Sequence, residues 1–119
     1  MVDIVLIDDD AVSTFVTEKY IRKSIQSPFR IFKFSSAMEA LDKIQEIQPQ
    51  FLFLDLFMPQ MSGWDFLDSI NPENLNSKIY ILSGSMDLVD KEKALRNQNV
   101  KKFLSKLSVK ESMPEIFRD

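Results

Sequence analysis

The chain has 119 residues, 45% of them hydrophobic, a formal charge of −3, ten Phe, two Gly, and neither Cys nor His. That is apolar material for the core of one compact domain, residues 1–119, and the acidic balance supplies no basic patch with which to meet nucleic-acid phosphates. Without Cys there are no disulfides or thiolate sites. Without His there is no Ser-His triad, no His-ligated zinc and no imidazole base, so any chemistry must rest on Asp, Glu, Lys, Ser or Thr.

The first segment, Val2 to Ile7, is rich in β-branched residues, predicts a strand, and is stopped by Asp8-Asp9-Asp10. Its apolar part is too short for a signal peptide, no membrane insertion is expected, and the Cys-free composition suits a cytoplasmic protein. From Ala11 to about Ile25 the apolar residues Val12, Phe15, Val16 and Tyr20 recur at helical spacing, with Asp10 placed to cap the first turn and Pro28 closing the segment. Ile31-Phe32-Lys33-Phe34 alternates apolar with polar, as a strand near a sheet edge does. Ser35 or Ser36 then caps a helix striped by Ala37, Ala40, Leu41, Ile44 and Ile47, ending before Pro49.

Phe51-Leu52-Phe53-Leu54 is a continuous apolar run ending in Asp55, with Pro59 and Gly63 close behind, the pattern of a buried strand running into a loop. A third helix is predicted from Gly63 to Ile70, carrying Trp64, Phe66, Leu67 and Ile70, followed by a loop around Pro72. Ile79 to Leu82 predicts a fourth strand that delivers Ser83 and Gly84. A polar helix from about Asp87 to Asn97, a short strand around Phe103-Leu104 leading to Lys106, and a last helix over residues 109–117 with Val109, Met113, Ile116 and Phe117 inward complete the chain. Five strand–helix alternations in this length predict a parallel α/β sheet covered on both faces, because parallel neighbours need helical crossovers.

Asp8 and Asp9, Asp55, Ser83 and Lys106 each fall just past the end of a different strand, so a parallel arrangement gathers them along one sheet edge, where ligands of such sheets bind. Singly, each has a plainer reading: an acidic turn, a loop acid, a strand terminator, a surface charge. Their joint placement at successive strand ends is what singles them out. Clustered carboxylates repel unless a cation sits among them, and an all-oxygen donor set favours a hard ion such as Mg²⁺. A nearby ammonium and hydroxyl complete the equipment for phosphoryl transfer, with Asp55 as nucleophile.

Over its whole length the sequence resembles a response-regulator receiver domain of the chemotaxis-regulator type, most specifically in the run Asp55-x-x-Met58-Pro59-x-Met61-Ser62-Gly63. The resemblance implies a flavodoxin-like fold of strand order 2-1-3-4-5 and phosphorylation of Asp55 by a sensor histidine kinase or histidine phosphotransfer protein. It also implies Mg²⁺ held by Asp8, Asp9, Asp55 and the backbone carbonyl of Phe57, with Ser83 and Lys106 assisting. Ser83 and Phe103 would serve as the switch, and a downstream protein target would read the change by binding or onward transfer. Such a protein is a signalling module and not an enzyme acting on outside substrates. A phosphohydrolase of the haloacid dehalogenase type is disfavoured, since its second Asp two places after the nucleophile is missing; Phe57 stands there.

Two positions depart from the family pattern. Phe57 is large and apolar where the family often has a polar residue, and Leu107 follows Lys106 where the family usually has Pro. A cis bond before Pro costs ~0.5–1 kcal/mol, but before Leu ~2.5–4 kcal/mol, so a trans Lys106–Leu107 bond is expected, with Lys106 still reaching the acidic site. Lys106 turned out to solvent even with phosphate bound would instead mark a degenerate receiver that only docks partners.

Overall fold

A computed structural model describes residues 1–70, 75–84 and 87–118. The loop expected around Pro72 lies outside the described residues. Five strands, β1 (Val2–Ile7), β2 (Phe29–Phe34), β3 (Phe51–Leu54), β4 (Lys78–Ser83) and β5 (Val100–Ser105), form one parallel sheet in the order β2-β1-β3-β4-β5. The helices are α1 (Ala11–Ser24), α2 (Ala37–Ile47), α3 (Gly63–Ser69), α4 (Leu88–Arg96) and α5 (Val109–Ile116), with a 3-10 turn over Lys106–Ser108. The parallel sheet is the one the strand–helix alternation predicts, its strand order is that of the flavodoxin-like fold the resemblance implies, and β2 lies at an edge, as its alternating pattern suggests. Among the described residues no helix is long and apolar enough to cross a membrane.

Successive side chains along a strand point to opposite faces, so each apolar run feeds two cores. Val5, Ile7, Leu52, Leu54, Ile79 and Ile81 pack with Ala40 and Ile44 of α2, Phe66 of α3 and Ala94 of α4. Ile4, Leu6, Phe53, Tyr80, Leu82 and Leu104 face the other way, against Ile21 of α1 and Val109 and Met113 of α5. Burial on both faces is why the central strands are unbroken apolar runs rather than alternating ones.

The caps lie where short polar side chains precede helices. Asp10 accepts from the Val12 and Ser13 amides at the start of α1, Ser36 from Glu39, and Ser62 forms a reciprocal capping box with Asp65 at α3. Of the two serines considered for α2, Ser36 is the cap.

One part of the helical pattern misleads. Val12 and Phe15 do not join the inner face of α1; they are 72% and 70% exposed, and the buried positions are Thr17 and Ile21. At about 100° per residue, Phe15 points roughly 160° away from Thr17, so only Val16 and Tyr20 of the expected stripe lie near enough to pack on the core.

Gly63 begins α3 directly against the chain that leaves β3. Its amide donates to the Leu56 carbonyl at 2.8 Å, and a Cβ placed there would collide with the Asp55 carbonyl oxygen and come within 2.9 Å of Leu56 Cα. The glycine is required by close approach rather than by backbone angle, since no glycine among the described residues has a positive φ. Gly63→Ala therefore forces α3 and the Asp55 loop apart, and we expect a loss of roughly 1–3 kcal/mol in chemical denaturation.

Candidate functional site

The carboxyl-terminal edge of the sheet holds the site. Ile7 pairs with Leu54 in the β1–β3 ladder, so the next residues, Asp8 and Asp55, emerge side by side. Each is anchored by its backbone: the Asp55 amide donates to the Ile7 carbonyl at 2.9 Å, and the Asp8 amide to Phe34 at 3.0 Å. Both acids are nearly out of water, Asp8 8% and Asp55 5% exposed, whereas Asp9 is exposed. One oxygen from each of Asp8, Asp9 and Asp55 lies within 4.8 Å of the others, a spacing compatible with a shared metal ion.

Lys106 reaches this cluster from the end of β5. Its Nζ lies 2.9 Å from Asp8 Oδ2, 3.1 Å from Asp8 Oδ1 and 3.5 Å from Asp55 Oδ2. No cis peptide bond occurs among the described residues, so the Lys106–Leu107 bond is trans, as the cost of a cis Lys-Leu bond requires, and Lys106 points into the acids. The turn that permits this is the 3-10 segment after β5, begun by Ser105, whose Oγ accepts from the Leu107 amide at 3.1 Å. Leu107 itself is thrown outward and is 90% exposed.

Asp8 is held further by accepting from the Asp10 amide at 2.9 Å, which ties the first acid to the helix cap behind it. Ser83 is fully buried at the end of β4, opposite Ser105 of β5, and Phe103 is half-buried against the α2–α4 core. Phe57, two residues past Asp55, is exposed. Of the residues singled out from sequence, Asp8, Asp9, Asp55 and Lys106 are thus brought into one constellation, with Ser83 on the neighbouring strand end. Thr14 and Thr17, not singled out in the sequence, line a cavity of about 10 Å³ against Asp8 and Asp55, room for about one water. The available signal was two hydroxyls three residues apart on a helix face that follows the acids.

Burial, followed by the Asp8 charge, pushes the Asp55 carboxyl up to about 6, against the opposing pull of Lys106 and the Phe57 backbone N–H. For Lys106, burial alone would lower the pKa, but its hydrogen bond to Asp8 and the charges of Asp55 and Asp8 outweigh that and raise it. The folded protein holds the Asp55 proton more tightly than an unfolded chain, whose Asp titrates near 3.8. This contribution to stability is complete below pH 3.8 and is lost as pH rises through about 6. In metal-free buffer at pH 7, Asp55→Asn should therefore be more stable than the parent by roughly 1–3 kcal/mol, the gap closing toward pH 4. Melting curves of the two proteins across that range check it.

The model of the response regulator receiver domain family matches residues 4–118. An uncharacterized response regulatory protein of Vibrio cholerae is 32% identical over 81 residues, 68% of this chain but only 34% of that protein, so the chain spans about a third of its length. A two-component response regulator from Cytophaga hutchinsonii superimposes with a TM-score of 0.79 at 28% identity, covering 87% of this chain and 84% of that one. The Mn(2+)-bound form of response regulator Rcp1 superimposes with a TM-score of 0.82 at 19% identity, covering 98% and 91%. With a family match that takes in all five strands and the whole acidic edge, the chain belongs to the response regulator receiver domains of two-component signalling.

Proposed function

We propose that the chain is a phosphorylation-activated switch in which Asp55 accepts a phosphoryl group from a phosphohistidine on a kinase or phosphotransfer protein, in a Mg²⁺-dependent step. The observation that carries this reading is the placement of the Lys106 ammonium between two buried carboxylates, Asp8 and Asp55, at the sheet edge. The all-oxygen donor set fits a hard dication, and Asp8, Asp9, Asp55 and the Phe57 carbonyl would hold it. When bound, Mg²⁺ would neutralise charge on the phosphoryl oxygens.

An Asp55 carboxylate oxygen attacks phosphorus as the bond from phosphorus to the donor's ring nitrogen breaks. That nitrogen takes the electron pair and leaves as neutral imidazole when the donor ring carries its proton on the other nitrogen. The product is an acyl phosphate, formed without water. Lys106 offsets the charge gathered at the oxygens, and the Ser83 hydroxyl is the neutral donor from the next strand. The protein so acts on itself, and its loss of the phosphoryl group is the reverse half of the switch.

Phosphorylation adds about −1.5 to −2 of charge at the edge. Ser83 and Lys106 turn to the new oxygens, Phe103 moves further into its core, and the surface of α4, β5 and α5 changes for a downstream protein target. A protein donor also suits the exposed apolar side chains Val12, Phe15, Phe57 and Leu107, which stand on the segments framing the Asp55 crevice and gain cover when a partner docks. No nucleic acid is required at this acidic edge, and the site's chemistry belongs to an aqueous compartment such as the cytoplasm.

Incubation with Mg²⁺ and acetyl phosphate should give a single acid-stable, base-labile phosphoryl adduct on intact-mass spectra. Asp55→Ala should give none, and Asp9→Asn or removal of Mg²⁺ should slow formation at least ~10-fold. An adduct that persists in Asp55→Ala refutes the assignment. Phe57, 56% exposed beside the site, shields the acyl phosphate from in-line water in this reading. Phe57→Asn should then lose its phosphoryl group several-fold faster than the parent in a dephosphorylation time course, and an unchanged or slower rate counts against shielding.

A further inference from the structure

The opposite end of the sheet carries a groove of about 830 Å³, within the size range of small-molecule sites. Its floor includes Phe51, the first residue of β3, and Tyr20 of α1, with Phe117 beside Phe51 at a ring separation of 4.7 Å. Four cations line it: Lys23, Lys78, Lys110 and Arg118. No acidic side chain among the described residues lines the groove, and none of the four forms an ion pair with a described carboxylate. In a chain of net charge −3, that is a marked local excess of positive charge.

Helix ends account for only part of it. Lys23 lies in the last turn of α1 and Arg118 just past α5, where a cation is favoured by the helix dipole. Lys78 opens a strand, and Lys110 lies in the first turn of α5, where the dipole opposes a cation. Two of the cations also lie over rings, Lys78 Nζ 5.5 Å from the Phe51 centroid and Lys23 Nζ 5.6 Å from that of Tyr20.

We propose that this groove binds a nucleoside di- or triphosphate, the phosphates meeting cations that form no ion pair with a described carboxylate and the base resting on the apolar floor. Ammonium groups with no carboxylate partner among the described residues select an occupant with at least two negative charges, and aromatic side chains select one with a flat apolar body. An extended acidic peptide is less well served. The strands that open onto the groove, β3 and β4, are interior strands paired on both sides, so they present no free edge for strand addition. The groove is separate from the acidic edge: Phe51 and Asp55 stand at opposite ends of β3, roughly 13 Å apart at about 3.3 Å per residue. It therefore stands whether or not Asp55 is the phosphoacceptor.

The test is a ¹⁵N–¹H NMR titration in Mg²⁺-free buffer at physiological salt, with ADP, tripolyphosphate, adenosine and an Asp/Glu-rich peptide as separate probes. ADP should shift amides near residues 23–27, 51, 78 and 117 with a Kd of about 0.1 mM, and tripolyphosphate and adenosine should each bind at least ~10-fold more weakly. Lys23→Glu/Lys78→Glu should weaken ADP at least ~10-fold while phosphorylation of Asp55 by acetyl phosphate proceeds at the parent rate. If that pair does not fold, Lys23→Gln/Lys78→Gln takes its place with the same expectation in direction. The proposal is overturned by any of the following: no shifts at 2 mM ADP (~20-fold above that Kd), tripolyphosphate or the peptide binding as tightly as ADP, shifts centred on Asp8 and Asp55, or binding indifferent to the folded variants.

Discussion

Two carboxylates held side by side out of water set the terms for the rest of this molecule. The pairing of Ile7 with Leu54 leaves Asp8 and Asp55 no freedom to separate, because each begins where its strand's ladder ends and each amide is fixed to the neighbouring strand. Removing charge from water costs several kcal/mol per ion unless a counter-charge and hydrogen bonds offset it. Lys106 supplies that counter-charge, closer to Asp8 than to Asp55, and the residual imbalance appears as the raised pKa of Asp55. Of the two buried acids, the one on the central strand is the less compensated, so a cation arriving there would relieve the repulsion between Asp8 and Asp55.

Much of this was legible in the sequence because the burial rules of a parallel sheet write themselves into the chain. Unbroken apolar runs marked β1, β3 and β4, and the residue that ends each of them is the residue that lines the edge. Even β2 betrayed its edge position by alternation, although its first residues, Phe29 and Arg30, were missed because they follow Pro28 in a stretch with no clear periodicity. The trans Lys106–Leu107 bond followed from peptide-bond energetics, whereas the reach of Lys106 into the acids followed from its place just past the end of β5 and its long stem. What the sequence concealed was which apolar residues are spent on the interior. Val12 and Phe15 have helical spacing, but the face that meets the core is set by how α1 lies on the sheet, and Thr17 takes the buried place. The contact between Gly63 and the Asp55–Leu56 backbone was likewise invisible, since a glycine read along the chain signals a turn as readily as a close approach.

The two ends of the sheet are electrostatic opposites. Carboxylates crowd the edge where strands finish, and ammonium and guanidinium groups with no ion pair to a described carboxylate gather where strands begin. A net charge of −3 averages over that separation and hides it. Each end is assembled from segments distant in sequence, yet both depend on the same five strands, so the sheet acts as a rigid spacer keeping opposite charges from collapsing onto one another.

The strand order also dictates when the acidic edge can exist at all. β1 is made before the other four strands of this sheet but lies inside it, between β2 and β3, and its second neighbour is complete only once residue 54 has been made. The counter-charge comes later still, since Lys106 and Asp8 are 98 positions apart. During synthesis, at roughly 5–20 residues per second, the emerging chain passes through seconds in which both acids are present without their partner. The ion pair that compensates Asp8 and Asp55 is therefore completed only once β5 has been made, so the fifth strand of the sheet supplies the counter-charge for acids carried by the first and third.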